Sequence, residues 1–204
     1  MTLEIVQAGN PVLRMQGREL TREEIRSESI QQLIELMREA MREAPGVGLA
    51  APQIGESIQL AVIEDRAEYL DNLSPEQLAR LQRSAIPFHV IINPKLSFLD
   101  NSTAQFFEGC LSLDGFQAVV ERALNVRVDC LNERGEEIQL KARGWYARIL
   151  QHEIDHLNGT LYIDRMETRT LTTAENMLRF WNDQSIEQVL TELGPRRERS
   201  AGNR

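Results

Sequence analysis

The sequence predicts an α+β fold, in which antiparallel β-sheets pack around a central helix, with an N-terminal helix and a C-terminal helix flanking them. Strand-like segments crowd together between residues 88 and 141, and helical periodicity precedes and follows them. A block of strands between helices, rather than a regular alternation of the two, is typical of α+β proteins.

The N-terminal helix is predicted from apolar residues that recur at spacings of three and four, with acidic residues toward the start of the helix. These apolar residues are Ile30, Leu33, Ile34, Met37 and Met41. Pro45 and Gly46 end the helix. The segment 46–55 contains three glycines and a proline among small apolar residues, which indicates closely packed backbone rather than a solvated loop.

The strands are predicted from β-branched and apolar runs bounded by turn residues. They cover residues 58–63, 88–92, 95–99, 103–107, 117–120, 124–131 and 137–141, with a hairpin turn at 132–135. Residues 65–86 are more polar, and we interpret them as a surface insertion. Within it, Ser74 and Gln77 form the capping pattern of a helix start.

The central helix is predicted over 145–157 and the C-terminal helix over 173–193. We expect residues 1–193 to form a single catalytic domain and residues 194–204, rich in arginine, serine and glycine, to form a disordered tail.

Composition excludes few classes of protein. The net charge of -8 over 204 residues argues against a free-standing nucleic-acid binder, so we expect no direct DNA binding. Since no apolar run is long enough to span a bilayer and no export signal is recognisable, we expect no membrane association and a cytoplasmic location. The two cysteines fit a reducing compartment.

The central helix carries the chemistry, because His152, Glu153 and His156 form an H-E-x-x-H pattern. Residues four apart share one face of a helix, so both imidazoles can reach one metal ion. Glu153 can exchange a proton with a water molecule that the metal makes more acidic. The alternative interpretation is an amphipathic helix that carries two histidines by chance.

A catalytic metal needs a third ligand, and the sequence leaves three interpretations open. Cys110 follows a glycine at a strand end, and one thiolate with two imidazoles leaves a position free for water. A downstream glutamate, Glu167 or Glu175, would instead indicate a zinc metallopeptidase. A closed structural zinc site would need His89 or Cys130, although Cys130 alternates with core residues of a strand.

Three segments together resemble the peptide deformylase family. They are Gly46-Val47-Gly48-Leu49-Ala50-Ala51-Pro52-Gln53, Glu108-Gly109-Cys110-Leu111-Ser112 and Gln151-His152-Glu153-Ile154-Asp155-His156-Leu157. The resemblance spans about residues 3 to 170. It implies metal-dependent hydrolysis of the N-formyl group from the formylmethionine of nascent polypeptides, with contact to the ribosome near the exit tunnel as a further expectation.

The resemblance also implies a role for individual residues. Cys110, His152 and His156 bind one divalent metal ion, with Fe(II) favoured and Zn(II), Ni(II) or Co(II) as alternatives. Glu153 is the general acid and base, and the Gln53 side-chain amide and the Leu111 backbone N–H hold the developing oxyanion. The substrate-binding residues are Val47, Gly48, Phe106, Glu108, Gly109 and Ile149. Arg122 and Asp155 form a pair that braces the metal-binding helix.

Overall fold

The computed structural model describes residues 3–71 and 73–193, so the tail at 194–204 lies outside the described residues. The predicted α+β class is confirmed. The strands are β1 (Gly48–Ala50), β2 (Leu60–Asp65), β3 (Ile86–Phe98), β4 (Thr103–Cys110), β5 (Leu113–Ala123), β6 (Asn125–Leu131), β7 (Glu137–Arg143) and β8 (Thr172–Thr173). The helices are α1 (Arg22–Ile25), α2 (Glu28–Glu43), α3 (Pro75–Leu81), α4 (Gly144–Leu157), α5 (Ala174–Asn176) and α6 (Ile186–Leu193).

The strands form two antiparallel sheets. One has five strands in the order β1-β2-β3-β6-β7, and the other has three strands in the order β4-β5-β8. The predicted hairpin is confirmed, since β6 pairs with β7 from Asn125↔Arg143 to Leu131↔Glu137. Helix α4 follows β7 directly and therefore starts at the edge of the larger sheet.

The larger sheet is covered by helices on both faces. Leu60 and Val62 of β2 pack in one cluster with Met37 of α2, whereas the alternate residues Ala61 and Ile63 pack in another cluster with α4. Successive side chains of a strand point to opposite faces, so burial on both faces requires a continuous apolar run. This explains why residues 60–63 are all apolar and fully buried.

The N-terminal helix is shorter than its acidic residues suggested, because two caps divide the segment. Thr21 caps α1 in a reciprocal capping box with Glu24, and the Ser27 hydroxyl accepts from the backbone of Ile30 to begin α2. Such side chains satisfy backbone N–H groups that a helix start leaves unpaired. Helix α2 ends at Glu43, close to the predicted stop.

The C-terminal helix is interrupted, which differs from the continuous helix predicted over 173–193. Helix α5 runs into a wide π-helical turn at Met177–Trp181, and α6 starts only at Ile186. Ser185 and Gln188 bond reciprocally, backbone to side chain, and so form a new helix start. A capping box in mid-segment competes with continuation of the preceding helix.

Strand β3 is continuous where two strands were predicted. The chain passes Asn93 in a left-handed conformation, with φ of 50°, and the pairing register shifts between Ile92 and Lys95. The Asn93 side chain bonds both backbone groups of Leu20, which holds this bulge in place. The bulge lets Pro94, which lacks an N–H donor, lie inside a long strand.

Residues 65–86, which we interpret from the sequence as a surface insertion and call the insertion below, contain the predicted helix, since Ser74 and Gln77 form the capping box that begins α3. The first and last residues of the insertion, Asp65 and Ile86, belong to strands β2 and β3 and pair with each other. Within the described ranges, no helix has both the length and the hydropathy that crossing a membrane requires.

Candidate active site and metal centre

A cavity of about 530 Å³ opens between β1, the β4–β5 turn and helix α4. Its volume lies within the usual range for small-ligand sites. Ten of the residues predicted to act in the site belong to its lining: Val47, Gly48, Gln53, Glu108, Gly109, Cys110, Leu111, Ile149, His152 and Glu153. The cavity therefore joins the three sequence segments that lie far apart along the chain.

Helix α4 presents the two histidines on one face. The rings of His152 and His156 lie 5.0 Å apart between centroids, as residues one turn apart should. Nδ1 of His152 lies 3.3 Å from Oε2 of Glu108, which leaves Nε2 as the nitrogen available to a metal. Burial lowers the pKa of His156 well below its usual value and so favours the neutral ring, the form that binds metals.

Cys110 is the last residue of β4, and its sulfur lies beside the histidines. The β4–β5 register shifts between Gly109 and Cys110, so the chain bends as it reaches the site. Cys110 Sγ lies 3.2 Å from His156 Nε2 and accepts from the Ser112 backbone N–H at 3.4 Å. The ligand atoms of Cys110, His152 and His156 all lie within 4.8 Å of one another.

Behind the histidines lies a buried ion-pair network centred on Arg122. Arg122 donates twice to Glu108, at 3.0 and 2.9 Å, and once to Asp155 at 2.5 Å. Burial opposes ionisation of Glu108, but hydrogen bonds from His152 and Arg122 outweigh it and hold its pKa at about 2. Arg122 thus bonds Asp155, and its second partner, Glu108, connects the network to His152.

Glu153 is a buried acid that forms no salt bridge with any arginine among the described residues. Its Oε2 atom has no hydrogen-bond partner among the described residues, and burial raises its pKa to about 7. Gly48 makes room for it, because a Cβ at Gly48 would lie 2.2 Å from Glu153 Oε1. A carboxyl group that titrates near neutral pH is suited to exchange protons during a reaction.

Gln53 is held so that its amide N–H₂ group faces the sulfur. Its Oε1 accepts from the Ala50 backbone N–H at 2.9 Å, while Nε2 donates to Ser112 Oγ at 3.3 Å and approaches Cys110 Sγ at 3.6 Å. Leu111 follows Cys110 in the cavity lining, and its carbonyl accepts from Gln7 at 2.9 Å. Both predicted oxyanion donors therefore belong to residues beside Cys110.

One wall of the cavity was not predicted from the sequence. Arg83, Trp145 and Arg148 line it, whereas Phe106, a predicted pocket residue, lies against the Arg148 guanidinium with 4.0 Å from Cζ to the ring centroid. Burial lowers the pKa of Arg148 to about 10. Arg148 precedes His152 by four residues, so helical spacing alone could have identified it.

The donor set fits a single metal ion. Burial lowers the pKa of His152, but hydrogen bonds to Cys110 and Glu108 outweigh it and raise that pKa well above its usual value. The surroundings therefore favour positive charge at this point. One thiol and two imidazoles beside a buried carboxyl group, in an open cavity, form the arrangement of a metal-dependent hydrolase that uses one metal ion.

The ligands that the two alternative interpretations require lie outside this cluster. Among the described residues, the only cluster with metal-ligand geometry contains Cys110 and includes neither Glu167 nor Glu175, which the metallopeptidase reading requires. His89 bonds Tyr146 through Nε2 at 2.8 Å, and burial raises the pKa of Cys130 to about 11. A closed four-ligand zinc site is therefore not formed by the part of the chain that the structure describes.

Comparison with known proteins agrees with this class. A family model described as polypeptide deformylase matches residues 2–171. The chain is 53% identical over 174 residues to the chloroplastic peptide deformylase 1A of Solanum lycopersicum, covering 85% of this chain and 63% of that protein's length. It is 46% identical over 193 residues to peptide deformylase 1 of Bifidobacterium longum, covering 94% and 86%.

A solved structure gives the same result. The Met-ala-ser-bound class I type b peptide deformylase of Acinetobacter baumannii matches with a TM-score of 0.72 and 31% identity, covering 81% of this chain and 99% of that one. The chain belongs to the polypeptide deformylase family.

Proposed function

We propose that this protein hydrolyses the N-formyl group of formylmethionine at the start of newly synthesised polypeptides and releases formate. The observation that carries this proposal is the convergence of Cys110, His152 and His156 within 4.8 Å beside the buried Glu153. Family membership supports the same reaction.

The three converging residues would hold one divalent ion, which when bound supplies Lewis-acid chemistry that lowers the pKa of water and polarises a carbonyl group. Cys110, with two histidines, is a ligand set that suits Fe(II), Zn(II), Ni(II) or Co(II). We propose Fe(II) as the native ion, and metal analysis of anaerobically purified protein tests this.

Glu153 is the proposed acid and base. With a pKa near 7, it takes a proton from the attacking water and then gives it to the departing amine, which is the new N-terminus. Gln53 Nε2 and the Leu111 backbone N–H would donate to the formyl oxygen as negative charge develops there. Donors fixed in advance stabilise such charge by about 3 kcal/mol each.

The backbone of Val47 and Gly48 is proposed to lie beside the substrate peptide, with Glu108 and Gly109 on the opposite side of the cavity. Val47 and Ile149 line the cavity and are the proposed contacts of the methionine side chain, and Phe106 contributes through Arg148. Proposed partners are nascent formylmethionyl polypeptides and the ribosome near the exit tunnel. We propose a cytoplasmic location as well, although two relatives carry chloroplastic names.

The test compares a formyl-Met peptide with its acetyl-Met twin, using anaerobically prepared protein with and without a chelator. We expect formate release from the formyl peptide alone and loss of that activity with the chelator. Failure to release formate when one metal ion is bound per chain would refute the proposal.

A further inference from the structure

The insertion at 65–86 reaches the cavity through a stack of four side chains. Phe106, Arg148, Trp145 and Arg83 alternate between aromatic ring and guanidinium. The Cζ-to-centroid distances along the stack are 4.0 Å for Arg148 on Phe106, 4.9 Å for Arg148 on Trp145 and 4.3 Å for Arg83 on Trp145. The last three residues of the stack line the cavity, so the insertion supplies part of its wall.

Arg83 is fixed in the stack by a buried carboxylate. Asp65 is fully buried and accepts from Arg83 Nε at 2.7 Å and Nη2 at 2.8 Å. The Trp145 indole N–H also donates to Asp65, at 2.8 Å. Paired, charge-assisted hydrogen bonds hold a planar group in one orientation, so Asp65 fixes the positions of both stacked partners.

The residue next to Arg83 ties the insertion to the start of helix α4. Gln82 Oε1 accepts from Arg143 Nε at 2.9 Å. Gly144, with φ of +55°, lies so close to Gln82 that a Cβ there would be 2.5 Å from the Gln82 Cβ. The insertion therefore packs against the first turn of the helix that carries Trp145 and Arg148, and this contact is not that of a freely solvated loop.

We propose that the insertion determines which side chain the cavity accepts on the formylated residue, with Arg83 as a positioning residue that acts through Trp145. This inference rests on the proposed function. Without Arg83, one face of the indole loses its cover and the cavity widens on that side. The enzyme should then discriminate less against a formylated residue that is bulkier than methionine.

The experiment compares kcat/KM for formyl-Met-Ala-Ser and formyl-Phe-Ala-Ser in the wild type and in Arg83→Ala. We expect the Met-to-Phe ratio to fall about tenfold, the scale that small changes of pocket volume produce. The change should lie in KM for the Phe peptide. An unchanged ratio in a folded Arg83→Ala protein would overturn the proposal.

Arg66→Ala is the matched control, because Arg66 belongs to the same segment, pairs with Glu68 and stacks on Tyr69 at 5.6 Å, outside the cavity lining. Its ratio should equal that of the wild type, and an equal fall in both variants would overturn the role of Arg83. Arg83→Lys keeps a cation beside Asp65 but loses the planar stack, so its ratio should also fall. If Arg83→Ala does not fold, the Lys variant decides the question by the same criterion.

A binding measurement separates this proposal from the reaction itself. The affinities of the products Met-Ala-Ser and Phe-Ala-Ser, measured by calorimetry, should show the same loss of discrimination in Arg83→Ala without any turnover. If the wild type releases no formate yet binds Met-Ala-Ser more tightly than Phe-Ala-Ser, the proposed function is refuted. The affinities of Arg83→Ala for the two peptides then decide the role of Arg83 by themselves.

Discussion

Replacing Arg122 with alanine should destabilise the protein more than any surface charge change of the same kind. Arg122 is 4% exposed and holds the buried Glu108 through two hydrogen bonds. Without it, Glu108 keeps the His152 contact at 3.3 Å and the longer approach of Arg148 Nε at 3.9 Å. Asp155 is affected less, because Arg165 donates to it twice, at 2.7 and 2.8 Å.

Two estimates of the free-energy cost of Arg122→Ala give the same magnitude. Removing one member of a buried ion pair costs about 3–5 kcal/mol, since the remaining charge is left without compensation. The pKa of Glu108 falls from 4.5 to about 2 in the folded protein, which corresponds to about 3 kcal/mol of stabilisation of the ionised form. Burial and the His152 contact also contribute to that pKa, so the agreement is one of scale.

The assay is urea unfolding at pH 7 in the presence of a chelator, so that metal binding does not add to the stability of the folded state. Arg165→Ala is the matched control, because Arg165 binds the same Asp155 but its side chain is 50% exposed. Its loss should cost at most about 1 kcal/mol. Equal destabilisation by the two substitutions would refute the assignment of Arg122 as the centre of the network.

Four further outcomes are expected. Because the folded-state pKa of Glu108 is depressed, the stability that its ionised form contributes is present above pH 4.5 and is lost as pH falls toward 2. The free energy of unfolding of Arg122→Ala should therefore depend less on pH in that window than the free energy of unfolding of the wild type. An identical pH dependence in the two proteins would contradict this. Glu153→Ala should retain metal while turnover falls at least a hundredfold; activity within tenfold of wild type would exclude Glu153 as the base. Cys110→Ala should lower metal content, measured by elemental analysis, whereas Cys130→Ala should not. Gly48→Ala should displace the Glu153 carboxyl, 2.2 Å from the added Cβ, and reduce kcat with metal still bound.

The local features of this protein could be predicted from sequence because they depend on neighbours along the chain. The positions of His152, Glu153 and His156 on one helix follow from helical spacing alone, and the hairpin of β6 and β7 follows from alternation and a turn. Cys110 needed context from other segments, since nothing local distinguishes a ligand thiol from a buried one.

The contacts that complete the site depend on long-range packing, and they could not be predicted. The bond from Arg122 to Glu108 requires the pairing of β4 with β5, and the bond from Arg83 to Asp65 requires the ends of the insertion to meet. Periodicity predicts which face of an element is buried but not which residue of another element it meets. The interrupted C-terminal helix shows the same limit, because a cap at Ser185 competes with apolar periodicity.

Three buried acids near helix α4 differ in whether an arginine forms a salt bridge with them. Glu108, Glu153 and Asp155 are all at most 8% exposed and lie within or beside helix α4. Glu108 and Asp155 have arginine partners at hydrogen-bond distance, so their charge is compensated in every step of a reaction. Glu153 has no such partner among the described residues, and burial therefore brings its pKa to about 7. An arginine beside Glu153 would keep it ionised and unable to return the proton to a leaving amine. The arrangement of arginines, rather than the position of the acids in the sequence, is therefore what supports Glu153 as the proposed group for proton transfer.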